Sequence, residues 1–373
     1  MAIRVEPISL PRDASKFVKT WWPIYADDPH WVPPLVFERK QFLNPKKNPY
    51  FKRADVQCFV AYRDGEAQGT ISAQVDHAYQ DAEEGVGFFG FFEFPDDEEV
   101  AGALIRAAEA YLRERGMKEM RGPFNFNTNH EFGLLVDGFD TDPAMLNPHN
   151  RPYYQRIYES VGLEPSKDWY AYWMDNGPVP PKIVNVAERL QSRRPEIELV
   201  QADMKQFDQA VSWFFEIYND AWHDNWGHVR VEAEEFKMIA AGIKEFADPR
   251  LIWFALIDGE PIAASLTFPD VNQVVKKMNG RLVPFGWYHW VFGRSKIDQL
   301  RVFALGVKRK WQRLPIGALL YLKTWEAGMG MDIRGAEASL ILEDNHRMRG
   351  ALEKLGARIY KTYRIYGKSL ETT

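Results

Sequence analysis

Apolar residues fall along the chain in short runs, and the order of those runs repeats once. In the first half, residues 56–62 form a mostly apolar run, Asp64-Gly65 interrupts it, and residues 69–75 return. Asp-Gly between two such runs predicts a β-hairpin. Residues 86–94 (VGFFGFFEF) predict another strand. Pro95-Asp96-Asp97 then opens a helix, whose positive N-terminal end suits the acidic residues 96–99. Val100, Leu104, Ala108, Tyr111 and Leu112 keep helical spacing up to Gly116. A strand over 120–126, a helix over 152–160 stopped by Gly162, and a strand over 169–174 complete the half.

The second half restarts with a short strand over 197–201 and helices over 204–219 and 233–246. A strand over 250–257 turns at Asp258-Gly259 into a strand over 261–268. A strand over 298–307 leads through a basic stretch into a helix over 316–328. A strand over 332–340, a helix over 345–355 stopped by Gly356, and a strand over 358–366 follow. The intervening FGWYHWVF, residues 285–292, reads as a buried strand or as the lining of a substrate cleft. The segments YESVGL and LEKLGA, beginning at Tyr158 and Leu352, lie 194 positions apart and anchor an internal duplication. Between the halves, the stretch 175–181 (DNGPVPP) stops regular structure and stiffens the path. Two α/β domains, each with a mixed sheet, are therefore expected over 1–176 and 182–373.

Length supports this division, since 373 residues suit two domains. Aromatic residues reach 14%, with 13 Trp, which calls for large aromatic cores or aromatic-lined clefts. The net charge of −5 leaves no broad basic footprint, so no nucleic-acid partner is expected. Cys58 is the lone cysteine and sits in the apolar VQCFVAY, as a buried thiol would in a reducing compartment. The charged N-terminus does not read as a secretory leader, and no apolar run approaches the roughly 20 residues needed to cross a bilayer. A cytoplasmic protein without a membrane partner is expected. His223 and His228 are not in a His-Glu-x-x-His frame, so no metal is expected, and neither a nucleophile elbow nor a P-loop is present.

One local basic stretch changes the picture. In V-K-R-K-W-Q-R-L-P-I-G-A-L-L, residues 307–320, a strand ends, a basic loop follows and a helix begins at small residues. Free N–H groups at such a helix start, together with the helix dipole, attract an anion. Lys308, Arg309, Lys310 and Arg313 add positive charge, and a pyrophosphate fits the arrangement. A solvated basic loop opening an amphipathic helix is the plainer alternative.

This stretch resembles the acyl-CoA pyrophosphate loop of the GNAT superfamily of N-acetyltransferases. That loop places a strand-ending Val before Arg/Gln-x-x-Gly-x-Gly/Ala, read here as Gln312-x-x-Pro315-x-Gly317. Downstream, Asn345-x-x-Met348 to Gly356-Ala357 is similar to the family's last helix, in the expected order and at the expected distance. The resemblance implies two tandem GNAT-like folds. It implies acetyl-CoA or another acyl-CoA as cofactor, held by Leu305, Val307, Gln312, Arg313, Gly317, Ala318 and Asn345. Leu305 and Val307 would offer N–H groups to the thioester carbonyl, and Glu337 and Glu343 are the candidate bases. Two positions depart from the pattern. Pro315 removes one N–H donor, and Leu352 stands where the family often has a proton-donating tyrosine.

The first half is expected to be the degenerate copy, because residues 96–99 would repel a pyrophosphate. There Tyr158 occupies the tyrosine position, as core packing or as a catalytic hydroxyl. The loop N-F-N-T-N-H-E, residues 125–131, gathers donors and acceptors near strand ends; Asn129, His130 and Glu131 are candidate substrate contacts, or parts of a turn-rich loop. The expected activity is acyl transfer from acyl-CoA to an amine of a small molecule or peptide. Pro315 and Leu352 leave open a catalytically inactive ligand-binding protein. The tandem arrangement, which also resembles the peptidoglycan-bridge transferases, leaves open an aminoacyl-tRNA-dependent transferase.

Overall fold

A computed structural model describes residues 2–223 and 225–371, and they separate into two units. Unit 1 comprises residues 1–170, 272–294 and 360–373; unit 2 comprises 171–271 and 295–359. The division is not the linear one at 176 and 182. An insertion from the second half and the C-terminal strand both belong with the N-terminal residues.

Unit 1 runs β1 (Arg4–Pro7), α1 (Ala14–Lys19), α2 (Trp21–Ile24), α3 (Val36–Phe42), β2 (Ala54–Arg63), β3 (Glu66–Asp76), α4 (His77–Gln80), β4 (Val86–Glu93), α5 (Glu98–Glu114), β5 (Glu119–Gly122), β6 (Leu134–Asp137), α6 (Tyr154–Ser160) and the start of β7 (Glu164–Asp175). Unit 2 continues through α7 (Pro181–Arg193), β8 (Glu198–Gln201), α8 (Phe207–Ala221), α9 (Ala233–Lys244), β9 (Ile252–Ile257) and β10 (Glu260–Pro269). The chain then contributes α10 (Asn272–Met278) and α11 (Gly286–Gly293) to unit 1. It returns to unit 2 as β11 (Gln299–Val307), α12 (Ile316–Met329), β12 (Gly335–Leu342) and α13 (His346–Lys354), and most of β13 (Arg358–Ser369) lies in unit 1.

Both Asp-Gly hairpins form. Asp64 and Gly65 take φ of 53° and 86°, and Asp258 and Gly259 take 52° and 77°, as a two-residue turn of primed type requires. They join β2 to β3 and β9 to β10. In unit 1 the sheet order is β1-β2-β3-β4-β5-β13, and in unit 2 it is β12-β11-β10-β9-β8. Each order holds one parallel pair, β4 with β5 and β11 with β12. The same helix ending also occurs twice. Gly162 and Gly356 both sit at φ 83°, and the next residues, Leu163 and Ala357, donate N–H bonds of 3.0 Å to Tyr158 and Leu352. The duplicated segments thus end their helices in one way.

Burial follows the strands. In unit 1, α5 and α6 pack against the sheet through Leu104, Ala108, Leu112, Ile157 and Tyr158. On the other face, α1 and α2 cover β2 with Phe17 and Trp21 against Phe91. Cys58 is buried there, and loss of hydration pushes its thiol up to about 12, so it is inert packing. In unit 2, α7 and α12 cover β9–β11 through Ala187, Leu190, Ile316, Leu319 and Leu320. Among the described residues, no helix is long and apolar enough to cross a membrane.

One element differs in kind from its sequence reading. Residues 286–293 form a helix, not a strand, and most of its large side chains are exposed. An eight-residue apolar run has no period that separates the two outcomes.

Candidate functional site

The basic stretch of unit 2 begins where β11 leaves β12. These parallel strands pair from Gln299↔Gly335 to Val302↔Ala338, although β11 runs on to Val307 and β12 to Leu342. The divergence begins at a bulge: Leu266 faces Ala304 and Thr267 faces Val302, so Phe303 is an extra residue on β11. Beyond the bulge Leu305 and Val307 pack into the α12 cluster, whereas Gly306 faces Trp222, whose ring a Cβ would meet at 2.2 Å.

The helix that follows has an open start. Pro315 stands at the N-cap of α12 and no side chain caps it. Ala318 N–H turns back to the Pro315 carbonyl at 3.0 Å, and the N–H groups of Ile316 and Gly317 project from the first turn. Gly317 has ordinary room; a Cβ there would lie 3.5 Å from Leu305 Cδ2. Arg313 is exposed and makes no ion pair among the described residues. Its neighbours are committed: Lys308 pairs with Glu216, and Arg309 N–H donates to Asp220 Oδ1 at 2.6 Å. Gln312 Nε2 donates to the Val307 carbonyl at 3.1 Å and shapes the loop, while Arg347 reaches the Gln312 carbonyl. Asn345 caps α13 by accepting from Met348 N–H at 3.1 Å.

Unit 1 repeats this strand-to-helix geometry, with a carboxylate at the helix start. β4 carries a bulge of the same kind, since Thr70 faces Glu93 and Ser72 faces Gly90. At the start of α5, Asp97 Oδ1 accepts from Glu99 and Val100 N–H at 3.0 and 3.2 Å. Arg63 holds the same carboxylate at 2.5 Å. A carboxylate therefore occupies the donors that α12 leaves open.

The candidate acid–base groups are divided between the two units, Glu337 and Glu343 in unit 2 and Tyr158 in unit 1. Glu337 on β12 is buried beside Arg301, its register partner, and accepts from Ser339 Oγ. Arg301 Nε lies 4.0 Å from Glu337 Oε1. Leu300 points at α12, so Arg301 and Glu337 lie on the opposite, α8-facing side of the sheet. That side carries an aromatic cluster in which Phe214, Tyr218 and Phe236 pack together and Tyr218 stacks on Trp222. His228 adjoins it, its pKa lowered to about 4 by burial and by His223, so it stays neutral. Glu343 follows β12, where its backbone carbonyl accepts from Arg349 at 2.5 Å.

Tyr158 lies in unit 1 among Phe89, Phe92, Phe94 and Tyr366, with its hydroxyl enclosed and unpartnered. Burial drives its pKa well up. Tyr158→Phe is expected to leave turnover unchanged and to hold or raise stability by about 1 kcal/mol, because an unsatisfied buried hydroxyl is removed. Urea melts alongside initial rates check both.

The asparagine loop of unit 1 is tied down. Glu131 pairs with Arg39 of α3, accepts from Asn125 Nδ2 at 3.2 Å, and its carbonyl accepts from Asn125 N–H at 2.8 Å. Asn125 Oδ1 accepts from Phe91 N–H at the bulge, 2.8 Å away. Asn129 N–H donates to Asn127 Oδ1 at 2.9 Å, and His130 sets its ring edge-on to Phe42 at 4.9 Å.

Near this loop lies a polar group that sequence reasoning missed. Glu93 ends β4 and accepts from Tyr25 and Tyr154 hydroxyls at 2.6 and 2.8 Å. The lone acid in VGFFGFFEF was its signal. Loss of hydration raises its pKa from 4.5 to about 7, against the two tyrosine donors. The folded pKa exceeds the unfolded one, so the associated stability is complete below about pH 4.5 and is lost as pH rises through 7. Stability is expected to fall by up to about 3 kcal/mol across that window. Glu93→Gln is expected to flatten the decline in urea melts taken from pH 5 to 8.5.

No protein-family model matches the chain. The bacterial ceramide synthase of Caulobacter vibrioides (strain NA1000 / CB15N) is 37% identical over 377 residues, covering 99% of this chain and 98% of that protein. Protein YghO of Escherichia coli (strain K12) is 33% identical over 367 residues, covering 96% and 93%. Among solved structures, a tandem GNAT protein from the clavulanic acid biosynthesis pathway superposes with a TM-score of 0.57 at 13% identity, covering 100% of this chain and 99% of that one. The fold is thus of the tandem GNAT kind, as the loop and the helix endings implied.

Proposed function

Because the chain belongs to the family of the Caulobacter bacterial ceramide synthase and YghO, we propose that it is an acyl-CoA-dependent N-acyltransferase whose acceptor is a long-chain amine and whose cofactor site lies in unit 2. The carrying observation is the uncapped start of α12 beside the divergence of β11 from β12. Its counterpart in unit 1 is closed by Asp97.

In this reading the pyrophosphate takes the Ile316 and Gly317 N–H groups, with Arg313 adding charge. The pantetheine arm runs between β11 and β12, and Leu305 N–H, past the bulge, polarises the thioester carbonyl. The acceptor amine arrives on the α8 side, over the aromatic cluster. Its nitrogen attacks the carbonyl carbon, the N–C bond forms, the C–S bond breaks and CoA leaves as the thiolate. Glu337, on that same side, takes the amine proton. A thiol of pKa near 8.5 leaves readily at neutral pH without an acid, so Leu352 in place of tyrosine does not stop the step. An acceptor with an alkyl chain fits the aromatic cluster and accords with what the Caulobacter relative's name says of that protein.

The test is direct. The protein is incubated with acyl-CoAs of graded chain length and with long-chain 2-amino alcohols, and short amines serve as controls. Amide product by mass spectrometry with one equivalent of released thiol is expected for the long-chain acceptors. Thiol release or amide formed equally with short amines would overturn the acceptor, and no amide from any amine would overturn the activity.

A further inference from the structure

Helix α11 departs from the rule that an apolar helix folds inward. Val283 and Phe285 are 73% and 75% exposed, and Trp287, Tyr288, Val291 and Phe292 are each half exposed or more. The last four recur at one helical face, spaced 287/288 and 291/292. The opposite face is seated: a Cβ on Gly293 would lie 3.2 Å from Val274 of α10, and one on Gly286 would strike the Arg281 carbonyl at 1.9 Å.

The element is fixed at its base. Val274 and Met278 are buried. Trp22 Nε1 donates to Asn279 Oδ1 at 3.0 Å, and Val36 N–H donates to the Gly280 carbonyl at 3.0 Å. Gly280 sits at φ 74° with the Trp22 ring where a Cβ would be, so the chain can turn there only with glycine. A built support thus holds an unpartnered aromatic face outward.

Charge identifies what covers it. The chain as a whole is at −5, yet residues 271–297 contain no Asp or Glu and carry Lys276, Lys277, Arg281, Arg294 and Lys296. Lys276 pairs with Asp142 at 2.6 Å. Lys277, Arg281 and Arg294 are exposed, and none of them has an ion pair among the described residues. Exposed Trp, Tyr and Phe with acid-free cationic flanks suit the boundary between headgroups and acyl chains, where amphipathic rings and long cationic stems are each satisfied.

We infer that the α10–α11 hairpin docks this protein on an anionic lipid bilayer, with α11 lying in the interface. An eight-residue helix is far too short to span. The inference does not depend on the proposed acyl transfer, and its test reads binding and not turnover.

The full chain is sedimented with vesicles of phosphatidylcholine alone and with about one third phosphatidylglycerol. Binding is expected only with the anionic lipid and is expected to weaken with salt. The triple variant Phe285→Ser/Trp287→Ser/Phe292→Ser is expected to lower the partition coefficient by at least about tenfold, and so is Lys277→Glu/Arg281→Glu/Arg294→Glu. All six side chains are exposed, so melting temperatures are expected to stay at the wild-type value. Wild-type protein left in the supernatant, or undiminished binding by either variant, would overturn the inference. So would sedimentation velocity showing a dimer that the serine variant breaks while vesicles capture nothing.

Discussion

Gly317→Glu is expected to lower acyl-CoA affinity by at least about 100-fold and to remove turnover at ordinary substrate concentrations. Position 317 is the second residue of α12, in a first turn that no side chain caps. A glutamate there does two things. Its carboxylate can accept from the open N–H groups, as Asp97 does at the start of α5, and it sets a negative charge beside the incoming pyrophosphate. At an effective dielectric of about 20, one charge pair about 4 Å apart contributes about 4 kcal/mol, so two to three orders of magnitude in affinity are at stake. Folding is not the confounder, because a Cβ at 317 meets only Leu305 Cδ2 at 3.5 Å. Gly317→Ala supplies the control; it adds helix propensity of about 1 kcal/mol and no charge. Its affinity should stay within a few-fold of wild type if charge is the cause, and should fall with that of the glutamate variant if the pyrophosphate needs a bare backbone. Calorimetric titration separates these outcomes, and wild-type affinity in Gly317→Glu would move the cofactor away from α12.

Arg39→Ala is expected to destabilise the protein by about 3–5 kcal/mol, the largest loss from any single polar substitution considered. Arg39 and Glu131 bury most of their side chains, with 12% and 18% left accessible. Removing the guanidinium leaves Glu131 with Asn125 as its remaining hydrogen-bonding partner named above, inside the loop that fixes the β4 bulge. Adding Glu131→Gln to Arg39→Ala should recover a large part of the loss, because the uncompensated charge is gone. Urea denaturation of the two single variants and the double variant measures the coupling. Glu131→Gln alone also distinguishes a structural lock from a substrate contact. A lock predicts lower stability with turnover kept, whereas a contact to substrate predicts turnover lost at unchanged stability.

Local signals in the sequence carried much of this architecture. Asp64-Gly65 and Asp258-Gly259 were legible because their turn demands left-handed backbone that few other pairs supply. Gly162 and Gly356 were legible for a related reason, and their equal spacing exposed the duplication. The β11–α12 junction was legible from small residues after a basic loop. Other features depend on partners distant in sequence. β13 pairs with β5 of unit 1, from Tyr366↔Gly122 to Ser369↔Glu119, and nothing within residues 358–369 announces that neighbour. The sequence places acidic residues 96–99 at a helix start and sets them against a pyrophosphate, but only the fold shows that Asp97 specifically takes the helix donors. The setting of Glu93 depends on burial and on Tyr25 and Tyr154, its hydroxyl donors 68 and 61 positions away, none of which its own segment shows. FGWYHWVF reads from hydropathy as a buried strand or a cleft lining, and its exposure on a helix shows only in three dimensions.

One chain is expected to bind one acyl-CoA, at the start of α12. Isothermal titration of the full chain with a non-hydrolysable long-chain acyl-CoA analogue counts them. One site per chain, lost in Gly317→Glu and kept when Asp97 is replaced by Asn, is the predicted result, since α12 starts without a side-chain cap and its counterpart α5 is capped by Asp97. Two sites per chain, or one site that survives Gly317→Glu, would contradict it.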